Sequence, residues 1–547
     1  MKIAQWMATT LFILFMLAPA AAQELPTFTD VTQEAGLRVK HSYGDFDLSN
    51  IVEGTGAGAM FFDYNGDGQL DLYFPNGCWL ENVSDNRGRR LKGKLANSLY
   101  RNNGDGTFTD VTQDAGVGDE SFGFGCSSAD FDGDGDLDLY VLNYGPNVFY
   151  RNNGDGTFTD ISQASGLANP CWSLSAPWFD YDGDGDLDVY VANYLVYDSG
   201  KFRSFYAAAG YPGPLSYSGQ PDALYRNNGD GTFTDVAKEA GILQPNGRAM
   251  SATVVDLNND GRLDVYVPND GMENYFFRNL GQGRFASEGL EMGLAFGEGG
   301  QGVSSMGPAV GDVDRDGWMD IYVPDMAYGC LLMNREKYFE DRTASANLAV
   351  VCGQYTGWGG VLFDYDNDGY PDVFIANGNA HHEYTEEDVL MRNDGTGCFV
   401  DVAVKSGPYF KEKYVGRGAT FGDYDNDGDL DLLVANLNDS PRLLRNDGGN
   451  RNHWLMVDPR LPGGKTHAYG ARVTVKTGAL VQVQDTIPMR GYLSQADPRC
   501  HFGLAKAATA DVVEIRWPDG TTTTLKDVRA GQVLTVIKPS GSELKEP

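Results

Sequence analysis

The chain is poor in the groups on which most catalytic signatures are built. Its 547 residues include only six histidines, and no H-E-x-x-H, G-x-S-x-G or C-x-x-C spacing occurs. Positive charge is also short. Lys and Arg number 42 against 76 Asp and Glu, a net charge of −34, which makes nucleic acid and anionic membrane poor partners. Long apolar runs are lacking too: the stretch from Met7 to Leu17 falls short of the roughly 20 residues a spanning helix needs, so no transmembrane segment is expected. With its positive start and Ala20-Ala21-Ala22 before Gln23, residues 1–22 read instead as a cleaved secretory signal. The protein is therefore expected to be exported, to be secreted, periplasmic or held at the cell surface. Seven cysteines are an odd number for an exported chain, so at least one thiol is left over within the molecule. Cys330 with Cys352, and Cys126 with Cys171, are the first candidate pairs.

Such acidity could mean disorder, but 12% aromatic and 41% hydrophobic residues argue for a packed fold. The acid is concentrated in one stretch that occurs seven times as D-x-[DN]-x-[DN]-G-x-x-D. Its oxygen-bearing positions 1, 3, 5 and 9 are Asp63, Asn65, Asp67 and Asp71; Asp130, Asp132, Asp134 and Asp138; then Asp180, Asp182, Asp184 and Asp188. They continue as Asp256, Asn258, Asp260 and Asp264; Asp312, Asp314, Asp316 and Asp320; Asp364, Asp366, Asp368 and Asp372; and Asp423, Asp425, Asp427 and Asp431. A glycine at position 6 allows the sharp turn that wraps these oxygens around one hard cation. Ca²⁺ suits such a loop better than the smaller, strictly octahedral Mg²⁺. One copy alone would be explained as a solvated turn; seven copies with the same ligand positions imply up to seven structural Ca²⁺. An EF-hand is excluded, because position 12 is apolar where the bidentate Glu belongs, and the following segments, such as LDLYVLN and LDVYVPN, have strand composition.

A second element follows each loop: LYRNNGDGTFTDVTQDAG at 99–116, FYRNNGDGTFTDISQASG at 149–166, LYRNNGDGTFTDVAKEAG at 224–241, and weaker copies later. Apolar runs on either side of N-G-D-G make a hairpin, and turn chemistry accounts for its Asp without a second metal. Each repeat is thus strand A, the Asp loop, strand B, a variable connection, strand C, the turn and strand D. Four antiparallel strands per 50 to 76 residues describe a propeller blade, and the fold class is all-β, a seven-bladed β-propeller with a small C-terminal β domain. The seventh repeat has no strand D after LLRN at 443–446. The orphan TFTDVTQEAG at 27–36, nearly identical to TFTDVTQDAG at 107–116, is expected to supply it and close the ring.

These loops and strands, including Phe421-Gly422 before Asp423, resemble the FG-GAP (VCBS) repeats of integrin α-subunit propellers. From Asn452 the Asp loops cease and short alternating segments follow. Asn452-His453-Trp454-Leu455, Gly470-Ala471-Arg472-Val473, Arg490-Gly491-Tyr492-Leu493-Ser494-Gln495, His501-Phe502-Gly503-Leu504 and Trp517-Pro518-Asp519-Gly520 resemble the ASPIC/UnbV domain. The combination is similar to the cartilage acidic protein family, a resemblance that brings no established reaction with it. The expected division is a signal at 1–22, a calcium-binding propeller at 23–450, an ASPIC/UnbV-like domain at 451–538 and a tail at 539–547.

Function reads as an extracellular binding, adhesion or scaffold module for a glycan or protein ligand. The alternative is a carbohydrate-active enzyme, a polysaccharide lyase or sugar dehydratase, on the same propeller; no catalytic residue is assigned. In an A-B-C-D blade the Asp loops and NNGDG turns share one rim and the insertions fall on the other. There Arg87, Arg89 and Arg90 of blade 1, Tyr206 and Tyr211 of blade 3, and His381 and His382 of blade 6 are expected as exposed ligand groups; the alternative is that these loops serve to cover hydrophobic edges.

Overall fold

The computed structural model describes residues 24–45, 48–81, 83–84, 95–198, 211–297, 299–326 and 328–540. The signal expected at 1–22 lies outside them, as do Arg87, Arg89, Arg90 and Tyr206.

Seven antiparallel sheets, one per repeat, place their strands in the order A-B-C-D; six have four strands, and in blade 3 strand A is split into Ser173–Ser175 and Trp178–Phe179. In blade 2 these are Gly123–Ala129, Asp138–Asn143, Val148–Asn152 and Phe158–Asp160. Side chains alternate faces along a strand, and in strand B of this blade both faces are covered. Leu139 and Val141 pack into the layer shared with blade 1, Tyr140 and Leu142 into the layer shared with blade 3. This is why the strand B segments read as unbroken apolar runs rather than as alternating patterns.

Blade 7 takes Gly416–Gly422, Asp431–Asn436 and Arg442–Asp447 from the end of the repeats and its outer strand, Thr27–Asp30, from the start of the chain. The register runs from Thr27 opposite Asp447 to Asp30 opposite Leu444. The aromatic contacts between blades show the same closure. The residue at loop position 2 packs on the strand D phenylalanine of the next blade: Tyr64 on Phe158 at 6.0 Å, Tyr181 on Phe285 at 6.2 Å, and Tyr424 on Phe108 at 5.8 Å. Tyr365 of blade 6 meets Phe28 at 6.1 Å, so the N-terminal strand takes the place that strand D holds elsewhere.

All seven cysteines carry free thiols, so neither expected pair forms. The reason is sidedness. Cys330 belongs to the core layer between blades 4 and 5 and Cys352 to the layer between blades 5 and 6, while Cys126 is sealed between blades 1 and 2 and Cys171 is half-buried outside that layer.

Beyond the blades, His453–Arg460 forms a three-stranded sheet with Cys500–Ala505 and Val533–Ile537, and Arg472–Thr477 centres a four-stranded sheet with Leu480–Asp485, Thr509–Arg516 and Thr522–Arg529. Leu455, Val473, Phe502 and Trp517 fill the core between them. The connection from 486 to 499 leaves this core and runs down the central channel of the propeller. Met489 and Gly491 accept from Thr253 and Ser251 of blade 4, and the Gly491 N–H donates to Pro308 of blade 5. Gln495 pairs with Ser128 of blade 2 through both ends of its amide, at 2.8 and 2.6 Å, and exchanges backbone bonds with Ala59 and Phe61 of blade 1. Tyr492 reaches furthest, stacking near Trp358 of blade 6 and donating to the Thr55 carbonyl at 2.8 Å. The R-G-Y-L-S-Q stretch is therefore a channel plug.

Candidate metal centres

Each Asp loop is held in shape by backbone N–H groups that donate to its own carboxylates. In blade 1, Asp63 Oδ1 accepts from Asp67 N at 3.1 Å and Oδ2 from Gly68 N at 2.8 Å. At position 9, Asp71 Oδ2 accepts from Tyr64 N and Oδ1 from Asn102 N, at 3.2 and 2.7 Å. Blades 2 to 7 all repeat both the Gly N–H bond of position 1 and the two bonds of position 9.

The glycine at position 6 has φ from +83° to +99° in all seven loops. Position 4, written as free in the sequence motif, is also left-handed. It is Gly66, Gly133 and Gly183 in the first three blades and Asn259, Arg315, Asn367 and Asn426 in the last four, with φ between +54° and +84°. Gly and Asn tolerate that conformation best, and their recurrence there was a readable signal that the motif left out.

In five loops three carboxylate oxygens converge within 4.8 Å of one another: Asp130 with Asp132 and Asp138; Asp180 with Asp182 and Asp188; Asp312 with Asp314 and Asp316; Asp364 with Asp366 and Asp372; Asp423 with Asp425 and Asp431. Blades 1 and 4 carry Asn65 and Asn258 at position 3 and so have three carboxylates each. Burial pushes the Asp71 and Asp188 carboxyls up to about 8 and that of Asp138 to about 9, in spite of the N–H groups they accept. A divalent cation at the centre would reverse that shift by making the charged form the favoured one. The residues fit such an ion on a further ground: Asp130 Oδ1 and Asp312 Oδ1 are buried and have no hydrogen-bond partner, while Oδ2 of the same groups accepts from Gly135 and Gly317. An oxygen left bare at the centre of a loop is costly unless a cation takes it.

The Asn that closes strand C has a structural role that turn chemistry concealed. Asn102, Asn152, Asn227, Asn279, Asn334, Asn393 and Asn446 each donate the backbone N–H to the position 9 aspartate of the same blade. The side-chain amide reaches into the preceding blade, to the carbonyl at loop position 2. Asn152 donates to Tyr64 O at 2.8 Å, Asn227 to Phe131 O at 2.9 Å, and Asn102 to Tyr424 O at 2.9 Å, which joins blade 1 to blade 7. The signal was an Asn present in all seven copies of x-x-x-N. By contrast, the Asp of the following turn does what hairpins require: Asp105 accepts both Thr107 N and Thr107 Oγ1.

The C-terminal sheets lie on this same rim. Thr466 Oγ1 donates to Asp130 Oδ2, Arg516 Nη2 meets Asp256 Oδ2 at 2.5 Å, and Arg472 Nη2 donates to Asp256 O at 2.9 Å while binding Asp485 through two nitrogens. His501 Nε2 lies 3.2 Å from Gly428 O, and Asn367 O accepts Ala505 N. The side-chain contacts to Asp130 and Asp256 fall on Oδ2, the oxygen that Gly135 and Gly261 already hold; Asp130 Oδ1 is left without a partner, while Asp256 Oδ1 accepts the Asp260 N–H at 3.1 Å.

On the opposite rim, the expected solvent-facing set is corrected at Tyr211. It is 5% exposed, its ring lies 5.1 Å from that of His381, and its hydroxyl donates to the Ala380 carbonyl. The two rings do meet, but Tyr211 faces inward, as part of an apolar cluster that includes Trp172, Trp358 and Tyr492, while His381 is half-buried beside it. His382 is half-buried and stacks near Tyr384 at 4.9 Å.

A ring of Asp-loop blades, closed by its first strand and plugged by its last domain, defines the class of molecule. The chain belongs to the FG-GAP-like repeat family: residues 82–141, 130–191, 215–267, 265–323 and 364–434, more than half of its length, match that family, and residues 462–543 match the ASPIC and UnbV family. Among curated proteins it is similar to cartilage acidic protein 1 of Homo sapiens, 28% identical over 58% of this chain and 48% of that one. The same protein of Mus musculus is 28% identical over 59% and 50%. The chain spans about half the length of these relatives. Among solved structures it is similar to an Agrocybe aegerita lectin described as recognising non-reducing terminal N-acetylglucosamine. That likeness has a TM-score of 0.40 and 20% identity over 70% of this chain and 86% of the lectin.

Proposed function

We propose that the protein is a calcium-stabilised binding or adhesion module of the extracellular type, exported by its first 22 residues, with a glycan or a protein as its ligand. On this reading it is a propeller at 23–450 that carries the ASPIC/UnbV-like domain at 451–538. The observation that carries the reading is the set of converging, partly unpartnered loop carboxylates. Four-ligand loops of this kind fill in a medium of roughly millimolar calcium, as extracellular modules do, and less readily at cytosolic levels. Repeat and domain membership supports binding over catalysis. The lyase alternative would draw on the aromatic and basic groups of the insertion rim, but Tyr211 spends its hydroxyl on Ala380 and its ring on the core.

The test is a screen of immobilised glycans and matrix proteins against the full mature chain, run in calcium and in EGTA and read beside a lyase assay for unsaturated product. Retention that depends on calcium, without product, is the expected outcome. Turnover of an acidic polysaccharide, or retention indifferent to EGTA, would overturn the reading.

A further inference from the structure

On the rim that carries the Asp loops, a cleft of about 370 Å³ opens between the blade 1 loop at Asp63 and the C-terminal domain. Blade 1 differs from blades 2, 4, 6 and 7 at this rim. Its Asn65 and Asp67 are exposed and Asp63 is half-buried, whereas Thr466, Arg516, the Ala505 N–H and His501 engage the other four loops. The far wall of the cleft presents two ion pairs and a histidine. Arg460 Nε binds Asp458 Oδ2 at 2.8 Å and Arg499 binds Asp497 at 2.7 Å. His467 Nδ1 lies 3.0 Å from Asp458 Oδ1, so the nitrogen left for a ligand is Nε2.

We propose that this cleft binds a single acidic sugar residue of the uronate class, its carboxylate directed to the Arg460, His467 and Arg499 donors and a hydroxyl to Asp458. The size fits one or two pyranose rings. Arg460 holds Asp458 through Nε and the Lys465 carbonyl through Nη1, which leaves Nη2, and Arg499 holds Asp497 through Nε and Nη2, which leaves Nη1, 3.5 Å from Asn426 Oδ1; these two remaining nitrogens suit the two oxygens of one carboxylate. Asp458 keeps acceptor capacity beside those donors, because each of its oxygens meets one partner, His467 Nδ1 or Arg460 Nε, and this suits a sugar hydroxyl; both Asp497 oxygens are taken by Arg499. Leu70, Leu137 and Val533 supply an apolar strip for the C–H face of a ring. A cation held by the three carboxylates of blade 1 would add positive charge at the Asp63 end, an arrangement that favours an acidic sugar over its neutral counterpart. This inference rests on the binding-module reading and names a ligand class and a place for it.

The test is isothermal titration calorimetry of the calcium-loaded full mature chain with galacturonate and, separately, with galactose. Galacturonate is expected to bind and galactose to give no heat. Arg460→Met and His467→Gln are each expected to weaken galacturonate about tenfold or more, the loss of one charge-assisted or directed hydrogen bond. Unchanged calcium content and an unchanged melting curve would show that the fold survives. Asp63→Asn should weaken the acid without creating affinity for galactose. Binding that is lost in a His381→Ala, His382→Ala double variant but kept in Arg460→Met overturns the cleft while sparing the binding-module reading, because the ligand then sits on the opposite rim. Absence of galacturonate binding, or equal binding of galactose, also overturns the cleft, and only a failure of the calcium-dependent screen touches the broader reading.

Discussion

Asn152 and Asn153 are adjacent, identical in type and sit at the same turn, yet the structure assigns them opposite weights. Asn152 is 2% exposed; its amide donates to Tyr64 O of blade 1 at 2.8 Å and to Leu137 O at 3.0 Å. Asn153 is exposed and bonds the Thr157 hydroxyl at 3.0 Å. Asn152→Ala leaves two buried carbonyls without a donor, at about 1–3 kcal/mol each, so a loss of about 2–6 kcal/mol is expected. Asn153→Ala should fall within about 0.5 kcal/mol of the wild type, as exposed substitutions do. Asn152→Asp is expected to be worse than Asn152→Ala, because it sets a carboxylate oxygen against those two carbonyls. The assay is equilibrium urea unfolding in saturating calcium, with the denaturant slope compared between variants so that a change in midpoint can be assigned to stability. Equal effects at the two positions would refute the claim that the repeated Asn joins neighbouring blades.

Tyr492→Ala should cost about 3–5 kcal/mol, since it empties a fully buried aromatic site in the channel, and Tyr492→Phe about 1 kcal/mol for the lost bond to Thr55 O; melting curves of the two variants check the ratio. Deleting residues 24–36 removes the outer strand of blade 7 and the Phe28–Tyr365 contact, and a soluble, monomeric deletion variant with wild-type melting would contradict ring closure by that strand. His41 is buried with Nδ1 accepting from Asn438 N, and burial, then the Arg417 charge, lowers its pKa to about 3. Because the folded-state value lies below the ordinary 6.5, this residue contributes stability that is full above pH 6.5 and is lost as pH falls toward 3. The slope is about 1.4 kcal/mol per unit. Unfolding free energies of wild type and His41→Asn should therefore converge or cross between pH 6.5 and 5, and parallel profiles would count against the assignment.

The blades were legible because the same physics is written seven times: a loop, an apolar strand and a hairpin turn, each weak alone, share one spacing. The turns that carry the Asp motif were legible for the same reason. The role of Asn102 and its counterparts was not, because a residue beside N-G-D-G is already explained by turn chemistry, and its true partner, such as Tyr424 for Asn102, is 322 residues away. Arg490-Gly491-Tyr492-Leu493-Ser494-Gln495 identified a domain but gave no sign that it would fill the channel, since its partners Thr55, Ser128 and Pro308 come from separate blades. Tyr211 was misplaced because an insertion has no periodicity from which a facing can be deduced. The cysteine pairs failed for a related reason, as spacing says nothing about which side of a sheet a thiol takes.

The central claim, that the aspartate loops hold structural calcium, is tested most directly by metal analysis of the purified mature chain by inductively coupled plasma mass spectrometry, before and after EGTA, with melting recorded on the same samples. The account predicts several calcium ions per chain, up to one for each of the seven loops, and a large fall in melting temperature when they are withdrawn. One ion or none, with melting unmoved by EGTA, would contradict it.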